Sequence, residues 1–418
     1  MKVFVIGSGA REHAIVWKLL QGLNIEQIYV APGNAGTAQI ASNISINATD
    51  IAALIAAARQ NKVDFTFVGP ETPLAAGIVD EFQKAGLSIF GPSKAAASIE
   101  ASKVFSKDLM HKYGIPTSQS RAFTSFDTAS VYVKSQTPPI VIKADGLAAG
   151  KGVVIARSVD EAVNALKSMM QERVFGSSGE KVVVEEYLTG REMSMFVFAD
   201  GHSVSPPVTA CDCKRVFDYN QGPNTGGMGS FSPPDFYTEE LGEQTMREIM
   251  RPTIKALAAE GAPYTGVLYG GLMITAQGPK TIEFNCRLGD PETQVILPRL
   301  ETDLAEISLA IIERKLDKLG IQWSKKACVG VVMASGGYPG HYEIGFPISG
   351  LGDVDKDIII FHAGTKLDAA CRVVTSGGRV LTVAATADNL AQARQKVYNN
   401  ISRISFKGAH YRKDIALF

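Results

Sequence analysis

Apolar residues over the first hundred positions fall in short clusters separated by stretches with helical spacing. Val3–Ile6, Gln27–Val30, Phe65–Val68 and Ser88–Phe90 read as strands, while Arg11–Leu20, Ile51–Gln60 and Leu74–Lys84 read as helices. This βαβ alternation predicts a parallel sheet covered by helices. In such sheets the functional loops lie at the carboxyl ends of the strands. Four turns are therefore expected to crowd one edge: Gly7-Ser8-Gly9-Ala10-Arg11-Glu12-His13, Ala31-Pro32-Gly33-Asn34-Ala35-Gly36-Thr37, Gly69-Pro70-Glu71 and Gly91-Pro92-Ser93.

Beyond this region a helix from about Lys103 runs to the stop Gly114-Ile115-Pro116-Thr117. A compact α/β unit follows over roughly 120–190, with apolar strands at Pro139–Lys143, Val153–Ala156 and Lys181–Glu185 and a helix near Val159–Met170. Residues 191–300 are richer in strand patterns, with a long glycine-bearing polar loop from Cys211 to Ser232 and a helix around Glu239–Glu260. A helix over Leu304–Leu316 precedes a last region, 327–418, whose turns are Gly336-Gly337-Tyr338-Pro339-Gly340 and Ser376-Gly377-Gly378.

The most pointed alternation is Thr281-Ile282-Glu283-Phe284-Asn285-Cys286-Arg287. Side chains two apart share a strand face, so Glu283, Asn285 and Arg287 are expected on one side and Ile282, Phe284 and Cys286 in a core on the other. A carboxylate and an amide oxygen at this spacing are hard ligands suited to Mg²⁺, and Arg287 is a fork for a phosphate or carboxylate. Gly289-Asp290-Pro291-Glu292 breaks the strand and brings two further acids to the same place. Taken alone, the segment equally describes a half-exposed strand with a solvated polar face.

Composition narrows the class. The 418 residues carry 42 Lys and Arg against 42 Asp and Glu, and this zero net charge argues against non-specific nucleic-acid binding. No apolar run has the length of a membrane span, and the first strand is too short for a signal peptide. Five scattered cysteines fit a reducing, cytoplasmic setting, and Cys211-x-Cys213 lacks a second pair at zinc spacing.

Several segments suit phosphate. Gly7-x-Gly9 between strand and helix is an anion turn, but Glu12 replaces the third glycine of a dinucleotide fingerprint, and no acid closes the second strand. Arg11 and His13 beside it suit a phosphate ester. Lys143-Ala144-Asp145-Gly146-Leu147-Ala148-Ala149-Gly150-Lys151-Gly152 is no Walker loop, since glycine follows Lys151 and a strand follows that. It reads as a flap over ATP phosphates or as a surface hairpin with solvated lysines. Glu185-Glu186-Tyr187-Leu188-Thr189-Gly190-Arg191-Glu192 is a strand corner able to meet an adenine edge and ribose hydroxyls. The loop Asp212-Cys213-Lys214-Arg215 with Gly222–Gly229 is costly to order unless it holds a ligand.

In this order, these motifs resemble the ATP-grasp carboxylate–amine ligases and, more narrowly, the phosphoribosylamine–glycine ligase (glycinamide ribonucleotide synthetase) family. The resemblance runs almost end to end and extends through Gly330–Ala334, Phe361-His362-Ala363-Gly364-Thr365 and Arg412–Ile415. It implies an α/β fold: an N-terminal parallel α/β domain (1–102), an ATP-grasp core of two α+β lobes (103–326, the smaller about 120–190) and a small C-terminal α+β domain (327–418). It implies ATP-dependent joining of glycine to 5-phosphoribosylamine through a glycyl phosphate, in purine biosynthesis. Glu283 and Asn285 would then hold Mg²⁺ or Mn²⁺. Lys103, Lys143, Gly150, Lys151, Glu186, Leu188 and Glu192 would contact ATP, and Gly9, Ala10, Arg11, Asn34 and Glu71 the ribose phosphate. Asp212, Lys214, Arg287 and Asp290 would surround glycine and the acyl phosphate. A monomer or weak dimer acting on small molecules, without nucleic-acid or membrane partners, is expected. Ala10, where the family usually has glycine, and Cys211 and Cys213, where it has polar residues, are departures expected to alter the phosphate turn and the hydrogen bonding at the reacting centre.

Overall fold

The computed structural model describes residues 1–147 and 152–417. Its first sheet is parallel, with strands β1 (Lys2–Gly7), β2 (Gln27–Pro32), β3 (Ser42–Asn43), β4 (Phe65–Val68) and β5 (Ile89–Phe90) in the order β3-β2-β1-β4-β5. Val3, Phe4, Val5 and Ile6 are all fully buried, as a central strand covered by helices on both faces requires. The helix expected over Leu74–Lys84 is two helices, Glu71–Ala76 and Ile78–Lys84. Gly77 between them takes a left-handed φ of +95°, which ends the first helix.

The second sheet is antiparallel, in the order β6-β9-β7-β8, from β6 (Ser120–Phe123), β7 (Ile140–Ala144), β8 (Val153–Ala156) and β9 (Val182–Glu186). Alternation decides its faces: Ile140, Ile142, Ala144, Val182 and Val184 join helices Phe126–Lys134 and Val159–Leu166 in a core belonging to this lobe alone. Lys143 and Glu185 lie on the other face.

The polar loop Cys211–Ser232 is more regular than its composition suggests. It leaves β10 (Arg191–Asp200) and β11 (Val208–Asp212), forms a hairpin of β12 (Arg215–Phe217) and β13 (Gln221–Asn224), and returns as β14 (Gly229–Ser232). The long hairpin β15 (Thr265–Thr275) and β16 (Gly278–Asn285) follows, then β17 (Ala327–Ala334), β18 (Ile359–His362), the small pair β19 (Thr365–Leu367) and β20 (Val373–Thr375), and β21 (Arg379–Ala387). One sheet in the order β16-β15-β10-β11-β14-β17-β21-β18 runs from the middle of the chain into its last ninety residues without a break.

Packing also crosses the N-terminal border. Phe4, Ile6 and Leu74 share a core with Met193, Met195 and Phe284, while Val3, Val5 and Ile15 share another with Phe196, Tyr269 and Leu304. Helix Ala10–Leu19 meets the C-terminal region directly: Trp17 and His13 stand edge-on to Phe361 at 5.6 and 5.9 Å, and His13 Nδ1 accepts the His362 N–H at 2.8 Å. His13 is therefore sealed in an interface, not turned to a phosphate ester as its position beside the glycine turn suggests.

Burial, with His362 beside it, pushes the His13 pKa down to about 3, and burial pushes His362 down to about 4. Both stay neutral in the folded chain, whereas the unfolded chain takes up their protons below about pH 6.5. Stability is thus full above pH 6.5 and is lost as pH falls towards these values, by about 1.4 kcal/mol per unit for each histidine. Denaturant unfolding between pH 7 and 4 should show that His13→Asn removes about half of the slope due to the pair. An unchanged slope would contradict the buried neutral pair.

Candidate active site

Strand register gathers the functional side chains on one face of the eight-stranded sheet. Ser194 pairs with Gly271, Gly271 with Glu283, and Ser194 on its other side with Ala210, two residues before Asp212. With a two-residue repeat, Glu192, Ser194, Asp212, Tyr269, Glu283 and Asn285 share this face. A cleft lined by Glu192, Ser194, Asp212, Lys214, Tyr269, Ile282 and Glu283 opens there. The expectation that Ile282 faces the core is corrected: Gly271 pairs with Glu283 but Leu272 with Thr281, so Ile282 is the extra residue of a bulge and lines the cleft. Phe284 and Cys286 do enter the core.

The smaller lobe meets this face through cations. Lys143 Nζ donates to the Ile282 carbonyl at 3.1 Å and pairs with Glu185 at 3.0 Å, and Lys107 holds the other oxygen of Glu185 at 2.9 Å. Lys103 Nζ donates to the Gly146 carbonyl at 2.9 Å. Burial opposes ionisation of Glu283, but Lys214, Lys143, Lys103 and Arg287 together hold its carboxyl below the usual range. Among the described residues, none donates a hydrogen bond to that carboxylate. Glu186 accepts from the Gln119 N–H at 3.0 Å and faces Lys280, and Leu188 lies half-buried in the connection between β9 and β10. Gly150 and Lys151 lie outside the described residues.

The N-terminal turns meet the segment that follows β16, through Arg11 on the Leu288 carbonyl and Glu71 on Arg287, and their polar groups are largely engaged. Glu12 turns back beneath the first turn: its carboxylate accepts the Gly9 N–H at 2.5 Å and Arg11 Nε at 2.6 Å, and a Cβ on Gly69 would stand 2.2 Å from it. The residue that breaks the dinucleotide fingerprint thus fills the space under the glycines. Asn34 donates to the Ser8 and His362 carbonyls and accepts the Gly36 and Thr37 N–H groups, so it joins the turn to the C-terminal region. Ala10 is buried at the start of its helix.

Arg287 links this edge to the metal-type ligands. Its guanidinium meets Glu71 at 3.0 Å and Glu100 at 2.9 Å and donates to Asn285 Oδ1 at 3.2 Å. Glu100 also accepts the Cys286 N–H at 2.7 Å. Burial opposes the charge of Glu71, yet Arg287 and Arg11 hold its pKa down at about 2; burial and the Glu71 charge leave Glu100 raised.

Asp212 and Asp290 flank the glycine-rich loop. Asp212 Oδ1 is buried without a hydrogen-bond partner, and burial beside Glu292 pushes its carboxyl well up. Glu292 is itself held by Ser194 and Tyr269 hydroxyls at 3.0 and 2.9 Å. Lys214 pairs with Glu192 at 2.8 Å. Asp290 accepts from Gln294 at 2.8 Å and pairs with Arg379 at 3.3 Å. Cys211 belongs to the C-terminal core with Cys213 packed against it, so neither supplies a polar group to the cleft. Burial keeps both thiols protonated, Cys213 at about 12. Sequence reasoning missed Glu12, Lys107, Glu185 as a partner of two lysines, Glu100, Tyr338 and Arg379. Three of these carried a signal: Glu12 in place of a fingerprint glycine, Tyr338 within the turn Gly336–Gly340, and Arg379 as a cation directly after Ser376-Gly377-Gly378.

The architecture and the cation-lined cleft define an ATP-grasp protein. Biotin carboxylase from Campylobacter jejuni, 16% identical, shares the fold with a TM-score of 0.74 over 100% of this chain and 94% of its own. Family models of phosphoribosylglycinamide synthetase match throughout: the N domain at residues 1–100, the ATP-grasp (A) domain at 101–293 and the C domain at 328–417. The chain belongs to the phosphoribosylglycinamide synthetase family. Phosphoribosylamine–glycine ligases from Halalkalibacterium halodurans (51% identical, 99% of this chain and 96% of the relative) and Escherichia coli O6:H1 (50%, 99% and 98%) are similar along their whole lengths. The crystal structure of the phosphoribosylamine–glycine ligase of Thermotoga maritima, 32% identical, superposes with a TM-score of 0.86 over 99% of this chain and 100% of that one.

The buried Lys107–Glu185–Lys143 cluster gives a direct test. Glu185→Ala leaves two buried ammonium groups without their carboxylate and should cost about 3–5 kcal/mol in denaturant unfolding. A loss below about 1 kcal/mol would show that the cluster is well solvated.

Proposed function

We propose that the chain uses ATP to join glycine to 5-phosphoribosylamine, giving glycinamide ribonucleotide, ADP and phosphate in purine biosynthesis. A carboxylate does not acylate an amine directly, because oxide is a poor leaving group. In this scheme a glycine carboxylate oxygen attacks the γ-phosphorus of ATP and ADP leaves. The amine nitrogen then attacks the acyl carbon of glycyl phosphate, phosphate leaves, and the nitrogen gives up a proton. The observation that carries the reading is the cleft lined by Glu283 and Lys214, with Lys143 on the carbonyl of the adjacent Ile282 and Lys103 beside Gly146, an arrangement suited to a polyphosphate and its cation. Positioning and charge stabilisation suffice, and no covalent enzyme intermediate is needed.

We assign ATP to the cleft between the smaller lobe and the sheet, with Lys103, Lys143, Glu186, Leu188 and Glu192 as contacts. The ribose phosphate is assigned to the edge formed by Gly9, Ala10, Arg11, Asn34 and Glu71. Asp212, Lys214, Arg287 and Asp290 are assigned to glycine and the acyl phosphate. Since Arg287 already bridges two carboxylates, its proposed role is to orient Glu71 and Asn285 as well as to offset charge. No cluster of three or more His, Cys, Asp or Glu at metal-binding distance occurs among the described residues. Glu283, ionised and without a donor, and the second lone pair of Asn285 Oδ1 nevertheless fit a hard divalent ion. They would hold Mg²⁺ or Mn²⁺, which when bound neutralises charge on the phosphates.

No helix of the described residues is long and apolar enough to cross a membrane. The five free cysteines support a reducing, cytoplasmic setting. Exposed large apolar side chains such as Leu23, Val131 and Tyr219 lie on separate elements, which supports a monomer or weak dimer.

The test is phosphate release from ATP with Mg²⁺, glycine and freshly generated phosphoribosylamine, separately and together. Release should require both, with a product of the mass of glycinamide ribonucleotide. Release with a different acid or amine would keep the ATP-grasp chemistry and discard these substrates. Glu283→Gln should lower turnover at limiting Mg²⁺ by about 100-fold, and unchanged turnover would remove the metal assignment.

A further inference from the structure

The C-terminal glycine turns have no part in the reaction as assigned above, yet they converge on one residue of the glycine-rich loop. The Tyr338 hydroxyl accepts the Gly226 N–H at 3.0 Å, and Arg379 Nη1 donates to the Gly226 carbonyl at 2.5 Å. Both backbone polar groups of Gly226 are thereby held from the C-terminal region. The same Nη1 donates to the Asp290 carbonyl at 2.7 Å and stands 3.3 Å from its carboxylate. One guanidinium therefore ties the loop to the turn that follows β16.

Two local devices aim this grip. In the β17–β21 ladder Met333 pairs with Leu381 but Ala334 pairs with Arg379, so Val380 is an extra residue. A bulge of this kind re-aims a neighbouring side chain; here Val380 enters the core and Arg379 reaches the loop. At Gly378 a Cβ would stand 2.3 Å from the Tyr338 ring, so the bare backbone admits the ring that carries the hydroxyl. The next loop residue, Gly227, lies against Asp212: a Cβ there would be 2.5 Å from Oδ1. Moving Gly226 therefore moves the cover of the buried, unpartnered Asp212 oxygen.

We infer that Arg379, assisted by Tyr338, is a positioning residue of the ligase, fixing the glycine-rich loop and Asp290 at the separation that acyl transfer uses. This rests on the assignment of Asp212 and Asp290 to glycine and its acyl phosphate. The grip touches neither Lys103, Lys143 nor Glu186 and reaches the ATP side only through Thr225 on the Lys214 carbonyl, so its loss is felt first at glycine. All three contacts are made by Nη1, so a lysine could keep the charge, but its shorter stem ends before that position and its ammonium has no fixed plane to orient it.

The experiment combines steady-state kinetics with backbone hydrogen exchange on Arg379→Gln, Arg379→Lys, Tyr338→Phe, Asp290→Asn and the double variant Arg379→Gln/Asp290→Asn. Arg379→Gln should raise KM for glycine about tenfold or more and lower kcat, with KM for ATP within about twofold. Arg379→Lys should recover only part of this, and Tyr338→Phe should lose about threefold. The double variant should lose less than the product of the two single losses, because both disturb the Arg379–Asp290 contact. Exchange in 222–229 should quicken in Arg379→Gln while β10 is unchanged. Equal rises in both KM values, additive losses in the double variant, or unchanged loop exchange would each overturn the inference. A wild type without glycine-dependent phosphate release would overturn the underlying assignment instead, and that is seen before any variant is compared.

Discussion

The site depends on one guanidinium. Arg287, just beyond β16, is shared by Glu71 from the first sheet's edge, Glu100 from helix Lys94–Ala101 and the amide oxygen of Asn285. Glu71 stays ionised between Arg287 and Arg11, while burial and the Glu71 charge raise the Glu100 carboxyl, which Arg287 and the Cys286 N–H hold in place. Removing any member strands the others, so the network fixes where the N-terminal turns stand relative to Glu283 and Asn285.

From this anchor the charge pattern of the cleft follows. Three lysines from three elements, Lys103, Lys143 and Lys214, surround Glu283, and each is already tied to a protein oxygen. They are therefore pre-placed rather than recruited, the condition under which electrostatic stabilisation costs no reorganisation during reaction. The eight-stranded sheet supplies the floor. Because it continues through β17, β21 and β18, the C-terminal region is bonded into the same face, and Arg379 reaches the acids from there.

How much of this was legible follows from what periodicity encodes. The two-residue repeat correctly put Glu283 beside Asn285 and Phe284 in the core, and βαβ alternation placed the four N-terminal turns on one edge. Alternation carries no register, so the bulge that turns Ile282 into the cleft could not be read, nor could the one that turns Arg379. The resemblance set Cys211 and Cys213 at the reacting centre beside Asp212, whereas the two thiols lie with the C-terminal core. His13 has a partner, and Asn34 one of several, more than three hundred residues away at His362. His13 therefore looked like a ligand group where it is an interface. Glu12 looked like a broken glycine motif because only the fold shows the space it fills.

If Arg287 sets the alignment, binding at the N-terminal edge and binding in the ATP cleft must be thermodynamically coupled through it. The direct measurement is calorimetric titration of Mg·ADP into wild type and Arg287→Lys, with and without saturating glycinamide ribonucleotide. The account predicts that the product changes ADP affinity about fivefold or more in wild type. In Arg287→Lys both ligands should still bind, with that coupling abolished. Equal coupling in the two proteins would show that the edge and the cleft communicate by another route, and would contradict the central place given to this residue.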